Sequence, residues 1–264
     1  MASIPRLSTR PDRAGQAAID RVAVGASLAI AVLAAWSYLL YQAWAMEHMD
    51  VVEMAMPALD TWGVSDLVLV FTMWAVMMVG MMAPTVAPIL LLFASIQRER
   101  RSRGGPFVAS WVFLLGYLVV WTVFSVLATL AQWGLHATAL LSPTMDRATP
   151  VIGGAVVIAA GMYQWTPAKL ACLARCRSPL GFIMTEWRER VSGAFVMGFR
   201  HGLFCAGCCW ALMLLLLAVG VMNLYWVAGL TLFVLMEKTF RFGQALAKVS
   251  GALLIAWGIW MLAA

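Results

Sequence analysis

The sequence predicts an all-α, polytopic transmembrane helical bundle of about seven spans, with its N-terminus in the cytoplasm. Three observations carry that expectation. The 264 residues are 63% hydrophobic and only 11% charged, too little polar surface to cover a soluble domain of this size. Several apolar runs reach the roughly 20 residues an α-helix needs to cross a bilayer. All but one (Arg147) of the 18 Lys and Arg residues fall in blocks between alternate runs, the distribution that fixes orientation with the basic side inside. No segment shows the alternation of a membrane barrel strand, which leaves helices as the structure that satisfies its own backbone in lipid.

In order along the chain, residues 1–21 form a cytoplasmic tail bearing Arg6, Arg10, Arg13 and Arg21. Residues 22–264 form one membrane domain. The first span is Val22–Met46, read as a retained anchor because no small-residue cleavage site follows it. The outer loop behind it carries Glu47, Asp50, Glu53 and Asp60 and no base. Leu67–Ile96 is the second span. Its Pro84 and Pro88 each remove a backbone donor and displace a carbonyl one turn earlier. That suits either a lined cavity or close helix packing. Phe107–Trp133 is the third span and Val151–Trp165 the fourth, ended by Thr166 and Pro167. Leu203–Met222 is the fifth, Leu224–Met236 the sixth behind an Asn223 cap, and Ala245–Leu262 the seventh. The fourth and sixth are short, so a count from six to eight is compatible with the pattern. Glu237 and Lys238 end the sixth span, either as a functional acid at membrane depth or as a helix-end anchor pair. The net charge of +6 follows the topology and implies no nucleic-acid partner.

All five cysteines lie between Cys172 and Cys209. CLARC supplies Cys172 and Cys176; HGLFCAGCC supplies His201, Cys205, Cys208 and Cys209. On a helix, spacings of four and seven put His201, Cys205 and Cys208 along one face with Cys209 on its flank. A second helical face bearing Cys172 and Cys176 would meet it at the cytoplasmic rim and complete a metal site. Cytoplasmic thiols stay reduced, so a metal or redox site is favoured over disulfides. The plainer reading is that cysteine is a small, well-tolerated core residue. Thiolate and imidazole together suit zinc and monovalent copper equally, so the set points to a transition metal and not to which one; the functional reading takes copper first and zinc second. No ferredoxin-like cysteine run occurs. The three histidines, His48, His136 and His201, do not form the paired set a haem requires, and no Walker pattern is present, so neither haem nor nucleotide is expected.

The methionines follow the same chemistry. The outer loop AMEHMDVVEMAMP brings Met46, His48, Met49, Met54 and Met56 together, and MWAVMMVGMMAP places Met77 and Met81 one turn apart, with Met78 and Met82 alongside. These are secondary soft-metal contacts on a route through the membrane, or, for the helix, adaptable packing.

The runs MWAVMMVGMMAP, GMYQWTPAKLACLARCRSPL, FRHGLFCAGCCWALM and GVMNLYWVAGLTLFVLMEK resemble a bacterial family of predicted metal-binding integral membrane proteins, a family of unknown function. The likeness runs from about Met73 to Lys238. It implies a multi-pass protein of the bacterial inner membrane whose metal residues are Cys172, Cys176, His201, Cys205, Cys208 and Cys209. The sequence therefore reads as a transition-metal-binding membrane protein that transports, senses or delivers a soft metal such as copper. Its partners would be the metal ion, the lipid bilayer and a metalloenzyme or metallochaperone. A membrane oxidoreductase using a metal or vicinal thiols, and an assembly subunit with a structural zinc, are the alternatives. No catalytic residue is assigned.

Overall fold

The computed structural model describes residues 11–48, 63–138, 150–221 and 223–263. Among them are nine helices and no strand: α1 (Pro11–Glu47), α2 (Val64–Ser102), α3 (Ser110–Ala137), α4 (Pro150–Tyr163), α5 (Pro167–Cys176), α6 (Pro179–Glu186), α7 (Arg190–Val219), α8 (Leu224–Thr239) and α9 (Gly243–Ala263).

Five of these are long and apolar enough to cross a membrane: Val22–Ala45 within α1, then α2, α3, α7 and α9. The expected fourth and sixth spans are the short helices α4 and α8, of 14 and 16 residues. At 1.5 Å per residue they reach about 21 and 24 Å, short of a hydrocarbon core of about 30 Å. The expected loop between the fourth and fifth spans is also structured. It contains α5, α6 and the opening turns of α7, which begins at Arg190 and not near Leu203. Arg190, Ser192, Arg200 and His201 lower the hydropathy of that stretch, yet it stays helical. Arg200 is neutralised by Glu186 at 2.6 Å on the preceding helix.

Local chemistry sets the boundaries. At the start of α2 the Gly63 amide donates to the Asp66 carboxylate at 2.8 Å. Thr166 caps α5 by accepting from the Lys169 amide, with Pro167 at the first helical position. Asn223 caps α8 as its sequence position suggests, accepting from the amides of Tyr225 and Trp226 at 3.1 and 3.4 Å. Gly220, at φ 104°, supplies the turn that stops α7.

Helices α2, α3 and α7 form the centre, while α1 packs on α2 and α9 on α4 at the periphery. The α3–α7 contact is backbone on backbone. A Cβ on Gly198 would collide with the Phe113 carbonyl, and one on Gly116 with the Phe195 carbonyl. This is the close approach that small residues allow between helices, and it sets Tyr117 of α3 against His201 and Cys205 of α7. At one end of the bundle Arg100 makes a bidentate ion pair with Glu189, at 2.8 Å for each bond, and lies 5.3 Å over Trp187. Those bonds hold the Glu189 carboxyl below its ordinary pKa.

Candidate metal centre

The sulfur cluster is built from two helices. CLARC is helical, as the spacing allows, and ends α5 at Cys176. On α7, Cys205, Cys208 and Cys209 share a buried face with His201. Cys176, at the end of α5, comes close enough to Cys205 and Cys208 of α7 to interact with both electrostatically, and Cys209 lies beside the same two on its own helix. Four of the six predicted ligands are thus neighbours across the α5–α7 seam. All five cysteines are free thiols.

The other two predicted ligands stand apart from that group. Cys172 packs one turn back along α5 against Gly207, where a Cβ would come within 2.8 Å of its sulfur. Gly207 is therefore the notch that lets α5 lie on α7, and its carbonyl accepts the hydroxyl of Tyr163 from the end of α4. His201 is buried among the rings of Phe113, Tyr117 and Phe182, with centroids 6.2, 6.0 and 5.1 Å away. Its Nδ1 has no hydrogen-bond partner. It lines a cavity of about 240 Å³ together with Cys176, Thr85, Pro84, Pro88 and Lys238. His201 and Cys205 lie well inside α7, about three turns and more from its start at Arg190.

Tyr117 and Thr85, which the sequence did not single out, complete the centre together with Met82 and Lys238, which it did. The Tyr117 hydroxyl lies 3.1 Å from Cys205 Sγ and 3.1 Å from the Met82 carbonyl. Thr85 Oγ1 donates to the same carbonyl at 2.8 Å. Lys238 Nζ donates to Cys205 Sγ at 2.9 Å and to Thr85 Oγ1 at 3.3 Å, with Met82 Sδ at 4.0 Å. The adjacent Glu237 faces the other way, into a bidentate pair with Lys169 of α5 at 2.9 and 3.0 Å, both side chains essentially without exposure. Of the two readings of Glu237 and Lys238, the helix-end anchor at the water interface does not fit this burial. Their position at the end of an apolar run is the sequence signal that pointed to them.

The methionine stripe divides. Met77, Met78, Met81 and Met82 are all buried in the α2 core, and Met82 Sδ lies 4.0 Å from the Lys238 ammonium that also meets Cys205. In the outer set, His48 is exposed and bound through Nδ1 to the Trp44 carbonyl at 2.8 Å. Met49, Met54 and Met56 lie outside the described residues, as does the side chain of Met46.

The donor set is soft, of the kind that binds a transition-metal ion through sulfur. Among the described residues, no three side chains of His, Cys, Asp or Glu hold the spacing of a formed metal site. The rotamers show why. Cys208 and Cys209 both turn their sulfurs back to the Cys205 carbonyl, each at 3.0 Å. Their thiols are satisfied by their own helix and would have to rotate to ligate.

An all-helical chain with a buried knot of sulfur and a histidine-lined cavity beside it belongs among proteins that handle soft metal ions. It is a member of the PpoB2 family, described as a copper chaperone, whose pattern matches residues 71–261 and so takes in every residue of the centre and α9 as well. No curated protein and no solved structure matches the chain.

Proposed function

We propose that this protein is a multi-pass membrane copper chaperone that takes up monovalent copper at Cys176, Cys205, Cys208 and Cys209 and passes it to a metalloprotein partner. The observation that carries this reading is the placement of Cys176, from α5, on the cavity that His201 of α7 also lines, with Cys205, Cys208 and Cys209 buried on the same face of α7. Cysteine sulfur is a natural ligand for monovalent copper. Ligands shared between two helices also let a small relative movement open the set, which suits release to a partner. Cys172, one turn behind Cys176, is placed as the next sulfur along α5.

A bilayer setting is supported by the five long apolar helices and by their exposed large apolar side chains, among them Ile30, Leu33, Leu127, Leu253 and Trp260. With basic residues inside, the N-terminus faces the cytoplasm of a bacterial inner membrane, and α4 and α8 complete seven crossings by dipping where the bundle is thin. The outer Met and His loop is placed as the point of copper entry or exit. The oxidoreductase and structural-zinc readings would draw on the same cysteines, and the family's description favours copper over them.

The test is copper loading of the anaerobically purified protein against a chromophoric Cu(I) chelator. The wild type should withdraw one copper per chain. Cys205→Ser combined with Cys208→Ser should withdraw none while keeping the helical circular dichroism. Equal loading of the two proteins would refute the assignment.

A further inference from the structure

Lys238 occupies an unusual position for an ammonium. It is buried, lies in no ion pair with a carboxylate among the described residues, and points its nitrogen at Cys205 Sγ (2.9 Å), Thr85 Oγ1 (3.3 Å) and Met82 Sδ (4.0 Å). An ammonium has only donors, so all three atoms receive it as acceptors. A cysteine sulfur, a thioether sulfur and a hydroxyl oxygen gathered around one positive centre are also a set of ligands for a soft cation.

Resting on the copper reading above, we infer that the Lys238 ammonium stands in for the cargo ion: it fills a cation position formed by Cys205, Met82 and Thr85, and copper enters by displacing it. The exchange balances without any redox partner. Cys205 takes part as the thiolate paired with the ammonium: the Nζ–H···Sγ hydrogen bond breaks, a Cu(I)–S bond forms on the same lone pair, and the ammonium keeps its three protons as it moves into the adjacent cavity, whose lining already includes the Lys238 side chain. One positive charge replaces another at Cys205. Met82 becomes a thioether ligand, which assigns to this one member of the methionine stripe a role that its buried neighbours lack.

The displaced ammonium stays close, and this gives the site a charge preference. The cavity lining contains a second cation, Arg177, tied to the Phe240 carbonyl at 2.6 Å, and no carboxylate. The Glu237–Lys169 pair nearby is neutral in sum. Repulsion from the displaced ammonium grows with the charge of the incoming ion, so a divalent ion meets twice the penalty of a monovalent one. For an ammonium displaced to about 6 Å at an effective dielectric of about 20, one extra unit of charge changes binding by roughly a hundredfold.

The full chain in detergent is titrated with Ag(I), a redox-inert monovalent probe, and with Zn(II), each against competing chelators. In Lys238→Gln the Zn(II)-to-Ag(I) affinity ratio should rise by roughly a hundredfold over wild type, while Lys238→Arg, which keeps the charge, should stay within about threefold. A second measurement needs no variant. The only lysines are Lys169, Lys238 and Lys248, and in protein labelled with ¹⁵N-lysine the Lys238 ammonium signal should shift on stoichiometric Ag(I) binding while Lys248 does not. An unchanged ratio in Lys238→Gln, or a Lys238 signal that stays in place while Ag(I) is bound, overturns the exchange and leaves the copper reading standing. A wild type that binds no Ag(I) overturns both.

Discussion

Lys169→Met isolates the buried charge pair that ties the cysteine-bearing α5 to α8. Lys169 and Glu237 meet in a bidentate contact at 2.9 and 3.0 Å with side-chain exposures of 0% and 1%. Coulomb attraction at 2.9 Å and an effective dielectric of about 20 sets a ceiling of about 6 kcal/mol. Removing one partner of a buried pair strands the other charge and costs about 3–5 kcal/mol, whereas replacing both with apolar groups of similar volume is close to neutral. The neighbouring Lys238 cannot take over, because its nitrogen is committed to Cys205 and Thr85. Lys169→Met alone should therefore destabilise by about 3–5 kcal/mol, and adding Glu237→Leu should recover most of that loss. The assay is thermal unfolding in detergent, followed by the exposure of cysteine thiols to a fluorogenic maleimide. A single substitution costing under about 1 kcal/mol, or a double variant as unstable as the sum of the singles, would refute the view that this pair fastens α5 in place. The same variants report on the centre: where the single loosens α5, Cys176 should be alkylated faster than Cys208 and Cys209 in the still-folded protein.

Three further outcomes follow from the packing. Gly198→Ala would drive a methyl into the Phe113 carbonyl, and overpacking a backbone contact of this kind should cost about 1–3 kcal/mol or more, read as lost yield of folded, monodisperse protein; Gly134→Ala, which meets nothing within 4 Å, is its control. Met81→Leu should cost less than about 1.5 kcal/mol and leave copper loading intact, whereas Met82→Leu should weaken loading at similar stability; equal effects from the two would mean that the stripe acts as core alone. Tyr117→Phe removes a hydroxyl shared by Cys205 Sγ and the Met82 carbonyl, so unfolding should become easier by about 1 kcal/mol and copper affinity should change, with an unaltered chelator competition curve counting against a place for Tyr117 in the centre.

How far the fold could be read from the chain depended on how directly each feature is written in local composition. Long uninterrupted apolar runs announce α2, α3 and α9, and the Asn223 cap and the Thr166–Pro167 stop are matters of neighbouring residues. The start of α7 is not local in that sense. Its opening turns carry Arg190 and Arg200, which read as loop until the partner Glu186 is known to sit against Arg200 from another helix. The lengths of α4 and α8 fall between classes, since a helix of 14 or 16 residues is a span or a packed segment according to what surrounds it.

The centre divides along the same line. Spacing on one helix is visible in sequence, so the common face of His201, Cys205 and Cys208 and the turn from Cys172 to Cys176 could be drawn in advance. What could not be drawn is which atoms from α2, α3 and α8 close over that face, because each depends on a helix crossing set elsewhere. Tyr117 reaches Cys205 only because Gly116 and Gly198 let two backbones touch. Lys238 reaches it only because α8 turns Glu237 toward Lys169, leaving its neighbour to point inward. An adjacent acid and base, Glu237 and Lys238, ending an otherwise apolar segment are the trace of this that sequence retains. On the proposed exchange, the lysine and a copper ion compete for the same sulfur, and that competition gives the cargo a way to leave.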